Sequence, residues 1–366
     1  MEEKSAFTTI FTPNSDTELI CRGLNRRNKT DDAATTEEES LNSGLQTLHV
    51  STEIFRDVTK EIKSIRDLQE LPHYTDGATT EIRLLVSSTL LIAASPVFAV
   101  MLNGSWAESR KNDNDRYEII TKDWNAEALF ILLNIIHHRR VAEYIDFDTI
   151  VELGRVCDYY KCQKVVEVFV DKWLVPFEMD RPNTISPGLG VEGLTTWIFI
   201  AWAFNKEQLF NELVEVALKN CKSPLLEDAS SLPPFIITRI EARRQHLMKT
   251  ILDYVYSFHE SLISHVDSCP QRCPTLMLGN VTKHIRRSGL KIPREEGELD
   301  GRSWVSLRQF ARNIVKPTYL GQYFNHPRGP PHQCPFAMIK SESWWKEASK
   351  RVIDGCRFED FKRLIY

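Results

Sequence analysis

Hydrophobic and polar positions divide the chain into a polar beginning and a patterned remainder. Residues 1–48 are mostly polar, include the acidic, Thr-rich run 31–40, and show no sustained period of apolar residues. A segment of this kind cannot bury enough apolar surface to offset the entropy lost on ordering. We therefore predict a disordered arm over residues 1–48.

Apolar patterning begins near residue 50 with short runs that resemble strands. Residues 67–71 and 82–86 predict a hairpin-like pair of strands around the loop 73–80, and residues 117–120 predict a third strand. A small sheet is therefore expected in the first half of the chain.

The second of these runs continues into a stretch without charges. Residues 84–102 contain no Asp, Glu, Lys or Arg, and their length raises the possibility of a transmembrane helix. Hydroxyl side chains and Pro96 interrupt the stretch, and Ser95 followed by Pro96 is a typical N-cap and first residue of a helix. We interpret the stretch as a strand followed by two helices, and we predict no membrane span.

Helical periodicity dominates from there to the end. Apolar residues recur at 3.6-residue spacing in three segments between residues 123 and 175, which predicts three helices. The segment 176–193 is rich in Pro and Gly and is predicted to be a linker. Residues 194–366 contain further helical stripes and predict an all-α C-terminal domain. The fold class expected from the pattern is α+β.

Composition and charge narrow the class of protein. Of the 366 residues, 42% are hydrophobic and 26% are charged, which is typical of a globular chain and excludes a wholly disordered one. Eight cysteines are too few for a disulfide scaffold, and the N-terminus has no apolar signal segment. We therefore expect an intracellular protein, in the cytoplasm, the nucleus or both. Charge is uneven, since the acidic excess lies before residue 270 and a basic excess follows it.

Several motifs within residues 50–175 match a known pattern. They are the segment LLIAASPVFAVML at 90–102, Trp106-Ala107-Glu108-Ser109, the strand at 117–120, Asp123, and Tyr159-Tyr160. In this order they resemble the BTB/POZ domain. The remainder of the chain is similar, more loosely, to a group of fungal BTB proteins with a helical C-terminal region. Ser87 stands where the family usually has a His, which puts co-repressor recruitment in doubt.

The resemblance implies a protein–protein interaction module rather than an enzyme. In BTB adaptors of cullin-type ubiquitin ligases, an apolar-x-Glu motif inserts against the cullin, and Trp106 and Glu108 stand at that place. The alternative is a BTB scaffold or transcription-associated protein without a ligase link. BTB domains also commonly form homodimers, and a helical stripe at Ile54, Val58 and Ile62 is a candidate interface, although it is equally compatible with packing in its own chain.

Three further motifs are weaker indications of a binding site. Cys269, Cys273, His332 and Cys334 could ligate a structural zinc ion, although their spacing departs from the usual pairs and they could equally be unrelated. The basic residues 283–287, with Arg308 and Arg312, could bind an anion or simply complement a helix end, and the lack of interleaved aromatic residues does not favour nucleic acid. Residues 188–193 spell G-x-G-x-x-G, but the Pro-rich segment before them does not predict the strand that a dinucleotide site requires.

Overall fold

The chain forms two compact units, Met1–Glu178 and Met179–Tyr366. The structure is a computed structural model, and it describes residues 6–22, 60–61, 81–122, 124–182, 191–225, 232–265, 273–295, 297, 299–314 and 342–363. The first unit combines a sheet with helices. Every regular element in the described residues of the second unit is a helix.

The first unit contains five strands and five α-helices in its described residues. In chain order these are β1 (Ala6–Ile10), β2 (Thr17–Arg22), β3 (Lys60–Glu61), β4 (Glu81–Val86), α1 (Ser88–Ala94), α2 (Pro96–Asn103), β5 (Tyr117–Lys122), α3 (Ala126–Ile136), α4 (Phe147–Tyr160) and α5 (Gln163–Leu174). Short 3-10 helices at Ala107–Ser109 and Val175–Asp180 follow α2 and α5. This mixed composition is the α+β class that the sequence pattern predicts.

The strands form one sheet in the order β3-β1-β4-β2-β5. β1 pairs with β4 in parallel, β2 pairs with β4 in antiparallel orientation, and β2 pairs with β5 in parallel. The register places Leu19 of β2 opposite both Leu84 of β4 and Ile119 of β5, and all three side chains are buried. Helix α3 is buried from Ala128 to Ile136 and contacts α1, α4 and α5, so it lies at the centre of the unit.

The prediction of a disordered arm over residues 1–48 is wrong for residues 6–22. These residues form β1 and β2, the two strands on either side of β4. The strands have only five and six residues, and their partners in β4 lie about 60 to 75 residues away in sequence, so no local pattern signals them. The predicted hairpin between 67–71 and 82–86 is also wrong, because β1 and β2 occupy both edges of β4.

The second unit contains seven α-helices in its described residues. They are α6 (Val191–Ala203), α7 (Glu207–Asn220), α8 (Pro234–Ser264), α9 (Cys273–Arg287), α10 (Trp304–Arg312), α11 (Glu342–Ile353) and α12 (Phe358–Lys362). Helix α8 is 31 residues long and contacts α7, α9, α10 and α11, which makes it the axis of the unit. Trp202 and Phe210 form an aromatic core with Phe358 and Phe361 of the C-terminal helix.

The boundary between the units falls in the segment predicted to be a linker. The linker is predicted over 176–193, but residues 175–180 form a 3-10 helix and α6 already begins at Val191. Among the helices of the described residues, none combines the length and the apolarity that crossing a bilayer requires. The uncharged stretch 84–102 is divided between β4, α1 and α2, as the hydroxyl groups and Pro96 predict.

A candidate docking site at the end of helix α2

Helix α2 is fixed at its N-terminus by a side chain that both accepts and donates a hydrogen bond. Ser95 is the N-cap, and its Oγ accepts a hydrogen bond from the Phe98 N–H at 3.0 Å. The same hydroxyl donates to the backbone carbonyl of Tyr160 at the end of α4. The rings of Phe98 and Tyr160 stack with centroids 4.3 Å apart. Helix α2 is therefore attached to α4, and the chain that follows α2 starts from a rigid base.

The buried side chain of Tyr160 also helps to hold α2 in place. Its hydroxyl donates to Thr121 Oγ1 at 3.3 Å, and burial raises the pKa of Tyr160 to about 12. The phenol is therefore neutral at physiological pH and retains its proton as a donor. This contact adds β5 to the elements that hold α2 in place.

The other end of α2 leads into a tight turn that presents Trp106. The backbone carbonyl of Trp106 accepts hydrogen bonds from Ser109 N–H at 3.2 Å and from Ser109 Oγ at 2.8 Å. Gly104 permits this path, since a Cβ there would lie 2.4 Å from the Val100 carbonyl oxygen and 3.0 Å from Trp106 Cδ1. The turn contacts both α2 and β5. A large aromatic side chain is thus held on a defined backbone rather than on a loose loop.

The indole of Trp106 is largely outside the protein. Its exposed fraction is 61%, and that of Val100, which lies on α2 six residues earlier in the sequence, is 59%. Glu108 lies in the same turn and is partly buried. An exposed aromatic anchor beside a carboxylate is an arrangement that interface hot spots use, because the ring fills a pocket while the charge selects the partner's orientation. The structure therefore places the two predicted docking residues in one turn, with Trp106 exposed and Glu108 partly buried.

The family of the first unit follows from a comparison that covers this site. Residues 78–173 match the family model of the BTB/POZ domain. The chain contains a BTB/POZ domain. No curated protein matches the chain. BTB/POZ domains are protein–protein interaction modules, so the chain has an interaction module in its first unit.

The matched region does not contain the whole sheet of the BTB/POZ domain. It includes β4 and β5, but the strand between them is β2, from residues 17–22. The segment before the match thus supplies the strand that joins the two matched ones. Sequence reasoning missed this contribution because residues 23–59 and 62–80 separate the partners in the chain.

Two side chains that the sequence did not single out hold the start of α1 in the BTB/POZ domain. Asp16 accepts hydrogen bonds from Ser88, from the backbone N–H at 2.7 Å and from the hydroxyl at 2.5 Å. Partial burial opposes ionisation of Asp16, but these bonds outweigh it and lower the pKa of the carboxyl below its usual value. Asp16 is therefore a helix cap supplied by the segment between β1 and β2.

The second of these side chains is His137, at the end of α3. Its Nε2 accepts the Ser87 N–H at 3.0 Å, and its Nδ1 lies 2.8 Å from the Leu133 carbonyl oxygen. Nδ1 therefore carries the proton and Nε2 is the acceptor. Burial lowers the pKa of His137, and the neighbouring charges of Arg139 and His138 add to this despite the opposing bond to Leu133. The imidazole that the family usually places at the position of Ser87 is absent there, and a different histidine contacts the backbone of Ser87.

The structure describes only two residues of the predicted dimer-interface segment. Ile54, Val58 and Ile62 lie outside the described residues. Lys60 and Glu61, between Val58 and Ile62, form β3, so the prediction of one continuous helix through the three apolar residues is wrong. Self-association through these residues stays a prediction.

Most of the predicted zinc ligands also lie outside the described residues. Cys269, His332 and Cys334 lie outside the described residues, and Cys273 is described only as the first residue of α9. Among the described residues, no group of three or more His, Cys, Asp or Glu side chains is placed to hold a metal ion. A structural zinc ion stays a prediction.

Buried thiols make poor nucleophiles in this chain. Burial raises the pKa of Cys157 well above its usual value, that of Cys162 to about 12, and those of Cys221 and Cys356 to about 11. These thiols are protonated at neutral pH, whereas nucleophilic catalysis requires the thiolate. The last described element before the G-x-G-x-x-G motif is the 3-10 helix Val175–Asp180 rather than a strand. That the chain is not an enzyme stays a prediction.

Proposed function

We propose that the BTB/POZ domain docks onto a cullin-type scaffold through Trp106, and that the chain serves as a substrate adaptor of a ubiquitin ligase. The observation that carries the proposal is the exposed indole of Trp106 on a turn fixed by Ser109 and Gly104. If Trp106 packed on its own domain, its ring would be buried, and the docking role would lose its support. In this proposal the helical second unit recruits the client protein.

Rigidity of the turn strengthens the proposal. A turn whose backbone is already ordered before binding loses little backbone freedom when its side chain enters a partner's pocket. The turn is ordered by two bonds to the Trp106 carbonyl, and α2 before it is attached to α4 through Ser95. Val100 extends the apolar surface beside the ring and is a further residue that the sequence did not single out.

The test is the affinity of the full chain for the N-terminal region of each of several cullins. Trp106→Ala is expected to weaken binding by about thirtyfold or more, the loss typical of a hot-spot side chain. Glu108→Ala is expected to weaken it less, because the carboxylate lies at the rim. Tyr144→Ala is the matched control, since Tyr144 is an aromatic residue of the same unit with an exposed fraction of 71%.

Two results would overturn the adaptor proposal. One is no binding of any cullin by the wild-type chain, which leaves a BTB scaffold or transcription-associated protein. The other is an equal loss of affinity in Trp106→Ala and Tyr144→Ala, which would show that the contact does not involve the turn. Gly104→Ala adds an independent check, because it retains Trp106 but displaces the turn, and it should reduce affinity as well.

Self-association is the second candidate function, and a separate observation favours it. Residues 84–107 contain no charged side chain and no histidine, yet Thr89 and Ala93 on α1 and Pro96 on α2 are exposed. Interface centres are depleted of charged residues relative to the rest of the surface. A two-fold contact through this face would bring no charged side chain of one copy against the same side chain of the other. This matters because the first unit is acidic, so most other faces of two copies would repel each other.

The oligomeric state in solution tests self-association. We expect the mass of a dimer for the wild-type chain and the mass of a monomer for Ala93→Lys, because a two-fold contact brings the two introduced charges close together. Val168→Lys places the same charge at an exposed valine of α5 and should leave the dimer intact. A monomeric wild-type chain, or a dimeric Ala93→Lys variant, would contradict this contact.

A further inference from the structure

The C-terminal end of α9, in the second unit, concentrates positive charge. Lys283, Arg286 and Arg287 are exposed, and none of them has an acidic partner among the described residues. Helix α9 contains no Asp or Glu along its whole length. Arg302 adds a fourth cation at the same place, since its Nη2 donates to the Ser288 carbonyl at 2.7 Å.

The helix end does not balance this charge. Cations in the last turn of a helix do complement its macrodipole, which is the ordinary reason for finding them there. That dipole amounts to about half a negative charge at the C-terminus, whereas the four side chains provide about four positive charges. Burial and then the charges of Arg287 and Lys283 lower the pKa of His284, which reflects the same excess. The dipole therefore offsets little of this charge, and among the described residues no ion pair offsets the rest.

The geometry of the cluster indicates which class of ligand would neutralise its positive charge. Lys283 is spaced three residues from Arg286 and four from Arg287, so their side chains leave the helix on one side, about 6 Å apart at Cβ. Arginine binds carboxylates through two parallel hydrogen bonds. No Phe, Tyr or Trp occurs between 273 and 303, so the segment that carries the four cations supplies no such ring of its own on which the bases of a single-stranded nucleic acid could stack. The cluster therefore fits closely spaced carboxylates better than it fits nucleic acid.

We propose that the basic end of α9, formed by Lys283, Arg286, Arg287 and Arg302, binds an acidic segment of a partner protein. The inference rests on the proposed role of the chain as an interaction module, and it assigns to the second unit the chemical class of its client. The contact is electrostatic, so its affinity falls as salt concentration rises.

The test measures binding of a fluorescent ten-residue polyglutamate peptide to the full chain by anisotropy. The triple variant Lys283→Gln, Arg286→Gln, Arg287→Gln is expected to bind about tenfold more weakly or worse, because three charge-assisted contacts are removed. The matched control is Lys222→Gln, Lys249→Gln, Lys350→Gln, which neutralises three other exposed cations of the same unit and should bind within about twofold of wild type. Circular dichroism checks that both triple variants fold.

Three outcomes would overturn the inference. They are no binding by the wild-type chain at low salt, an equal loss in the two triple variants, and tighter binding of a ten-nucleotide DNA strand than of the peptide. Trp106→Ala must bind the peptide as the wild type does. Failure of cullin docking in that variant therefore leaves this inference intact, and loss of peptide binding leaves the docking proposal intact.

Discussion

Removing the carboxylate of Asp16 should loosen the start of α1. In Asp16→Ala the Ser88 N–H and hydroxyl lose their acceptor, and Ser88 is buried, so water cannot replace it freely. Loss of a helix cap costs about 1 kcal/mol, and hydrogen bonds to a charged group contribute about 1.5–3 kcal/mol. The bond from the Ser88 N–H is counted in both of these energies, so they cannot simply be added. We expect a loss of about 2–3 kcal/mol in the free energy of local opening.

Amide hydrogen exchange measured by mass spectrometry gives this local quantity directly. A loss of about 2–3 kcal/mol corresponds to exchange about 30 to 150 times faster in peptides covering β4 and α1. Asp16→Asn retains one oxygen acceptor and should fall between wild type and Asp16→Ala. Asp115→Ala is the control, because the Asp115 side chain is 87% exposed and should leave exchange in β4 and α1 unchanged.

The experiment also tests whether residues 6–22 are part of the BTB/POZ domain. Asp16 lies between β1 and β2, so its bond to Ser88 exists only if that segment crosses the start of α1. Exchange in β4 and α1 that stays within about twofold of wild type in Asp16→Ala would refute the capping argument and the placement of this segment with it.

Two other predictions follow from buried side chains. The pKa of His137 is lowered in the folded chain, so its contribution to stability is complete above the unfolded value near 6.5 and is lost as pH falls below it. His137→Gln should therefore flatten the pH dependence of the unfolding free energy between about pH 5 and 7, and an unchanged dependence would show that another group is responsible. Phe361→Ala should destabilise the second unit by about 3–5 kcal/mol in calorimetry, because its fully buried ring packs on Phe210 with centroids 5.5 Å apart. Phe235→Ala, the same truncation at a ring 37% exposed, should cost clearly less, and equal losses would contradict the buried role of Phe361.

The helices of this chain could be predicted because their signals are local. The hydrophobic stripe of α4 and the Ser95-Pro96 start of α2 depend on residues three or four positions apart, and the structure confirms both. The division of the uncharged stretch 84–102 into a strand and two helices follows from the same short-range signals. The Trp106-x-Glu108 motif could be located by its order after α2 for the same reason.

The sheet and the supports of the site depend on contacts between distant residues. β1 and β2 are stabilised by ladder bonds to β4 across about 60 to 75 residues, and a strand of five or six residues has no strong signal of its own. Asp16 and His137 become caps of α1 only when the fold brings them to Ser87 and Ser88. The accessibility of Trp106 is likewise a property of the folded surface, since the same residue in the same motif could have packed inward. Local periodicity therefore determined the helices, whereas long-range pairing and burial determined the sheet and which side chains of the candidate site remain exposed.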